Sequence, residues 1–207
     1  MKKLLVEFIG TFFLVFVILL SGSPLAIGCI LMVMVYMGGH ISGAHYNPAV
    51  TLAILIRGKI KTNEALLYMC LQVLGAIVAA VMYYLVSGKT AAPAPAAGIN
   101  ILKPLFIEAA FTFALASVVL NAATSKNTAG NSFYGLAIGF TVLAAAIAGG
   151  PISGGAFNPA VGTGPILIDA IIGHHDSIKN LWIYLVGPFS GGILAAVVFK
   201  FLNPDDV

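Results

Sequence analysis

The run Gly39-His40-Ile41-Ser42-Gly43-Ala44-His45-Tyr46-Asn47-Pro48-Ala49-Val50 returns as Gly150-Pro151-Ile152-Ser153-Gly154-Gly155-Ala156-Phe157-Asn158-Pro159-Ala160-Val161, 111 positions later. No other feature constrains the fold of this chain as strongly. Each copy reads as a glycine-bearing polar loop running into a helix start. Asparagine is a favoured N-cap, and proline at the first helical position gives up only an amide that has no partner there. Two helix N-termini are therefore expected at Asn47 and Asn158, about half a chain apart.

Composition decides what surrounds them. Of the 207 residues, 60% are apolar and 8% charged, whereas a soluble globular domain carries roughly 25% charge. The net charge is +3, but the basic residues form no patch of the kind nucleic-acid binding needs. Cys29 and Cys70 both lie in apolar stretches and read as free buried thiols rather than a disulfide framework. Met1-Lys2-Lys3 followed by an apolar run is reminiscent of a signal peptide. Glu7 interrupts that run and no Ala-x-Ala site closes it, so it is read as a retained first span.

A helix needs about 20 apolar residues to cross a hydrocarbon core of about 30 Å. Six segments qualify, near 3–21, 24–39, 64–87, 102–122, 132–149 and 180–202. Two further apolar stretches, 48–56 and 159–172, follow the Asn-Pro-Ala motifs directly and are too short or too broken to cross. Pro48 to Arg57 at 1.5 Å per residue reaches roughly 15 Å, half the membrane. Two such half-helices entering from opposite sides meet near the midplane with their N-termini facing. Irregular backbone at that depth is tolerated only where it is buried in protein or lines a water-filled path, which points to a pore.

The charges agree with opposite entries. Lys2, Lys3, Arg57, Lys59, Lys61, Lys126 and Lys200 fall on one side of the six-span arrangement, and Lys89, Lys103 and Lys179 on the other. The positive-inside rule then places both termini in the cytoplasm. Ala91–Gly98 reads as the linker between two repeats, 1–98 with its half-helix starting at Asn47 and 99–207 with its half-helix starting at Asn158. Three spans per half is an odd number, so the second half must be inverted, an architecture of channels and transporters. The halves match elsewhere: Glu7 with Thr11 and Phe12 against Glu108 with Thr112 and Phe113, and Gln72 with Gly75 against Pro188 with Gly191. Gly10, Gly75 and Gly191 suit close helix contacts. The expected fold is an all-α membrane bundle of six spans plus two re-entrant half-helices in an inverted 3+3 repeat.

Together these features resemble the major intrinsic protein family, the aquaporins and aquaglyceroporins, over essentially the whole chain. The resemblance implies a passive channel, not an enzyme, with no cofactor and no metal, assembled as a homotetramer in the bilayer. It implies that the side chains of Asn47 and Asn158 donate hydrogen bonds to a passing solute, beside carbonyl ladders at Ala44, His45 and Tyr46 and at Gly154, Gly155, Ala156 and Phe157. It implies that Glu7 and Glu108 accept loop amides, with Ser42 and Ser153 bracing the same loops. Counting from the asparagines places an outer constriction at Ile27, Ala146, Gly155 and Val161. Here the chain departs from the family pattern: water-selective members carry histidine where Ala146 stands and arginine where Val161 stands. The missing polar groups predict a wider, more apolar opening for water and small neutral solutes such as glycerol, urea, ammonia or peroxide.

Other readings of the same residues remain. Glu7 and Glu108 are intramembrane carboxylates, which in a proton-coupled secondary transporter would relay protons. Ser42 between His40 and His45 invites an intramembrane protease, although the second loop has Pro151 and Ala156 in place of the histidines. His45 borders the expected pore, where it could sense pH. His174-His175-Asp176 reads as a solvated loop rather than a metal site. A poorly conducting structural membrane protein would carry the same spans.

Overall fold

The computed structural model describes residues 1–174 and 176–206. Eight α-helices are found among them: α1 (Lys2–Ser21), α2 (Pro24–Ser42), α3 (Pro48–Ile56), α4 (Thr62–Ser87), α5 (Leu102–Val119), α6 (Tyr134–Ser153), α7 (Pro159–Ile171) and α8 (Leu181–Leu202). α5 runs on as a π-helical turn over Leu120–Thr124. Six of these, α8 together with the short turn before it, are long and apolar enough to cross a membrane. Large apolar side chains such as Leu85, Phe106 and Phe201 point outward, which is favourable against lipid and costly against water.

The spans α2 and α6 are longer than the glycines in them suggest. They continue through Gly38 and Gly39, and through Gly149, Gly150 and Pro151, so that Ser42 and Ser153 are the last helical residues and not loop residues. Each ends on a left-handed glycine, Gly43 or Gly154, whose amide bonds back to the carbonyl of Gly39 or Gly150. Glycine costs about 1 kcal/mol in a helix interior, which packing overrides here. A Cβ on Gly28 would meet the Gly139 carbonyl at 2.8 Å, and one on Gly139 the Gly28 carbonyl at 2.5 Å. These two glycines bring α2 and α6 into contact across the middle of the molecule.

The bundle interlocks. α1 packs on α2 and α4, and α5 packs on α6 and α8. Each half-helix leans most on the closing span of the other half, α3 on α8 and α7 on α4. Neither half could keep its short helix in place alone.

One expectation needs correction, and two further features were not anticipated. Cys29 and Cys70 are exposed on the outer faces of α2 and α4 rather than buried. The linker Ala91–Gly98 is part of the packed structure: the Ala96 amide donates to the Ile152 carbonyl at 3.1 Å, and Ala94 lies against Gly154. Arg57 is not a surface cation. Its side chain is fully buried, with Nη2 2.8 Å from Asp206 Oδ1. Of the histidine pair, His175 lies outside the described residues, and no cluster of metal-ligating side chains occurs among the described ones.

Candidate functional site

Both loops adopt the same unusual backbone. After Gly43, Ala44 and Tyr46 sit at φ 51° and 50°; after Gly154, Gly155 and Phe157 sit at φ 67° and 48°. For a residue with a Cβ the left-handed region costs roughly 1–2 kcal/mol, so a partner must hold the chain there.

The partner is a buried carboxylate. Glu7 on α1 accepts from the Ser42 hydroxyl at 2.6 Å, the His45 amide at 3.0 Å and the Tyr46 amide at 2.8 Å. Gln72 on α4 adds a fourth bond at 2.8 Å. Glu108 on α5 accepts from the Ser153 hydroxyl at 2.7 Å and from the Ala156 and Phe157 amides. A tyrosine hydroxyl completes each brace, Tyr68 on the Ser42 carbonyl at 2.9 Å and Tyr184 on the Ser153 carbonyl at 2.6 Å. With the amides turned into these braces, the carbonyls of Ala44, His45, Gly155 and Ala156 receive no protein donor among the described residues and are free to accept from a solute.

The asparagines close the two loops on each other. Asn47 Oδ1 caps α3 through the Ala49 amide at 2.8 Å, while its Nδ2 donates to the Phe157 carbonyl at 2.9 Å. Asn158 Oδ1 caps α7 through the Ala160 amide at 2.9 Å, and its Nδ2 donates to the Tyr46 carbonyl at 2.9 Å. The two N-termini therefore meet, as expected. A side-chain amide has two N–H donors, so each asparagine keeps one uncommitted. The carbonyls of Tyr46 and Phe157 hold these cross-bonds and have only their second lone pair left for a solute.

A narrow cavity of about 30 Å³ lies at this junction, enough to admit water. Its eighteen lining residues are nine sequence-equivalent pairs: Leu14 with Leu115, Ile18 with Val119, Ile27 with Ile138, Leu31 with Val142, Val50 with Val161, and the four loop positions 44–47 with 155–158. The two loops and their asparagines share the lining with aliphatic side chains from α1, α2, α5 and α6. No charged side chain reaches the cavity wall. The facing helix N-termini, each equivalent to roughly +0.5 charge, set the field there.

Of the expected constriction, Ile27, Gly155 and Val161 line this cavity. Ala146, one turn beyond Val142 on α6, is not among the residues lining this cavity, which lies at the asparagines. Gly154 is also not among the lining residues; a Cβ there would meet Ala94 and Tyr184. Glu7 and Glu108 are fully buried behind the loops and do not face the cavity. Ser42 donates to Glu7 and not to a histidine, so the serine–histidine pair of the protease reading is not formed. His45 does reach the cavity; its Nδ1 lies 3.1 Å from Thr51 Oγ1 and its ring packs edge-on against Tyr68. Two wider cavities of about 310 Å³ each open beyond it, one lined by Lys3, His45 and Lys59, the other by His40 and the 125–131 connection. Sequence reasoning missed Gln72, Tyr68 and Tyr184, for which the only signal was a polar group placed inside an apolar span.

With this geometry in view, the comparisons are decisive. Residues 1–199 match the family model described as Major intrinsic protein. The chain belongs to the major intrinsic protein family. Among relatives, it is 37% identical to the glycerol uptake facilitator protein-like 6 of Lactiplantibacillus plantarum, with both chains covered in full. It is 34% identical to aquaporin NIP1-4 of Oryza sativa, covering 98% of this chain and 77% of that one. The solved aquaglyceroporin from Plasmodium falciparum superposes with a TM-score of 0.84 at 23% identity, over 98% of this chain and 97% of that one. This aquaporin-type protein is thus an integral, multi-pass membrane channel for water and small solutes, and it is not an enzyme.

Proposed function

We propose that the channel conducts water together with small neutral solutes of the glycerol and urea class, ammonia and peroxide included, in single file past Asn47 and Asn158. The observation that carries this reading is the mixed lining of the cavity: two asparagines each with an uncommitted N–H donor, and loop residues with free carbonyls, beside aliphatic side chains. A polyol or urea arriving there exchanges its water shell for those groups, avoiding a desolvation penalty of roughly 2–7 kcal/mol per unpaired polar group. Its hydrocarbon side, or its weakly hydrated face, rests on Leu14, Leu31, Val142 and their neighbours. Selectivity resides in the aliphatic ring of Ile27, Gly155 and Val161, with Ala146 one turn further out. The ring offers no hydrogen bond that would favour water and no charge that would reject a neutral solute. The name of the Lactiplantibacillus plantarum relative, a glycerol uptake facilitator, supports glycerol as one passenger. Cations are opposed by the two helix N-termini and not by an arginine.

The Lys-rich mouth is assigned to the cytoplasm, the halves to 1–98 and 99–207, and the assembly to a homotetramer with one pore per subunit. The proton-coupled alternative draws no support from Glu7 and Glu108, whose oxygens are committed to the loops. Reconstituted vesicles test the choice. A channel equilibrates water, glycerol and urea without accumulation and ignores uncouplers; uphill uptake that an uncoupler abolishes would establish the transporter, and no flux of any solute the structural protein.

A further inference from the structure

The segment after α8 returns to the Lys-rich mouth and joins two elements there. Asp206 Oδ1 accepts from Arg57 Nη2 at 2.8 Å, at the end of half-helix α3. Asp206 Oδ2 accepts from the Lys126 amide at 2.9 Å, and the Ser125 hydroxyl also bonds to this carboxylate. Alongside, Lys126 Nζ donates to the Asp205 carbonyl at 3.3 Å. The pair is enclosed, with side-chain exposures of 0% for Arg57 and 6% for Asp206. Arg57 lies 4.7 Å over the Phe199 ring, and its Nε and Nη1 have no other partner.

The 125–131 connection that Asp206 grips is a wall of the mouth. Ser125, Thr128, Ala129, Gly130 and Asn131 line one of the wide cavities, which shares Ile138 with the central one. The other attachments of this connection are side-chain bonds to the end of the α5 π-turn, Thr128 on the Asn121 carbonyl and Asn131 on the Ala122 carbonyl.

We propose that Asp206 is a positioning residue for conduction: its carboxylate clasps Arg57 to the 125–131 connection and holds that mouth open. The inference rests on the conduction reading above. Without the carboxylate, Arg57 is a buried cation with no counter-charge, an arrangement that does not persist. Ile54 and Lys59, on and just after its own helix, line a mouth cavity. At the same time the connection loses its hold on the far side and closes over the opening. The charged groups facing the carboxylate are Arg57 from α3, Lys126 from the connection and Asp205 beside it. The Ser125 hydroxyl, then the Lys126 amide and Arg57, hold the Asp206 carboxyl below the usual carboxylate range. The clasp is therefore intact above that range and is lost as pH falls through the lowered value.

The test combines stopped-flow permeability of reconstituted full-length protein with amide hydrogen exchange. Asp206→Asn is expected to lower water and glycerol flux severalfold in equal proportion and to speed exchange across 125–131 while leaving 43–47 and 154–158 unchanged. Asp206→Glu is expected to restore both. Acid on the Lys-rich side should reproduce the loss in wild type and add nothing in Asp206→Asn. Lys126→Pro, which removes the amide donor at a position where proline fits a helix start, gives a smaller loss and leaves the Arg57 pair intact, so it stands in should Asp206→Asn not fold. Unchanged flux, or faster exchange without a change in flux, in both variants overturns the clasp. Wild-type vesicles that pass nothing overturn the conduction reading itself.

Discussion

The two re-entrant loops have the same shape and different support. Both rest on a carboxylate that takes one serine hydroxyl and two successive amides, with a tyrosine hydroxyl on the serine carbonyl. The first loop has more. Gln72 bonds both Glu7 and Thr51, and Thr51 bonds the Asn47 carbonyl and lies against His45 Nδ1. At the matching places the second loop has Pro188, Gly162 and Ala156, and even the Thr112 hydroxyl has no partner, whereas Thr11 bonds the Glu7 carbonyl. Since both loops reach the same backbone, the shared set is sufficient for shape. The additional network of the first loop is reinforcement on the side of the wide, Lys-rich mouth.

That comparison can be broken first at its shared part. Glu7→Ala or Glu108→Ala strands three or four buried donors, each costing about 1–3 kcal/mol, so each variant should lose roughly 3–6 kcal/mol after relaxation. Thermal unfolding in detergent reads the loss, and conduction should vanish with it. A mild effect at either position would show that the braces are not what holds the left-handed residues.

Gln72→Leu should matter less. Glu7 keeps its three loop donors, so the expected loss is about 1–3 kcal/mol with conduction retained. A loss as large as that of Glu7→Ala would mean the first loop depends on its network and the two loops are not equivalent. Smallest of all is His45→Ala, which makes the first loop resemble the second. It removes one hydrogen bond to Thr51, worth about 1 kcal/mol, and should leave water flux intact. Flux that collapses in this variant would make His45 part of the path and not a reinforcement of it.

The duplicated motif made the half-helices and their asparagine caps legible, because an N-cap followed by proline is a local signal that burial does not rewrite. Helix ends were less so: Gly39, Gly150 and Pro151 look like breakers yet remain helical, and at Gly39 the missing side chain lets Tyr134 pack closely. Exposure was misjudged for the cysteines, and the burial of Arg57 was not anticipated. Cys29 and Cys70 face outward because an apolar residue in a membrane protein has lipid as well as core available to it. Arg57 is buried because its counter-charge, Asp206, lies 149 positions away, a pairing no local pattern announces. Of the counted constriction residues, Ile27, Gly155 and Val161 also line the central cavity, because they sit next to the asparagine loops or face them.

The most direct measurement is stopped-flow light scattering on vesicles holding wild type or Val161→Arg. Val161 stands at the position proposed for the selectivity ring, and it lies 3% exposed on the cavity wall. The account predicts that wild type passes glycerol and urea along with water. The arginine variant should lose the two larger solutes by at least about tenfold, a barrier raised by about 1.4 kcal/mol, while water still passes. Wild type that conducts water alone, or an arginine variant that still passes glycerol and urea freely, would contradict the claim that this ring sets selectivity.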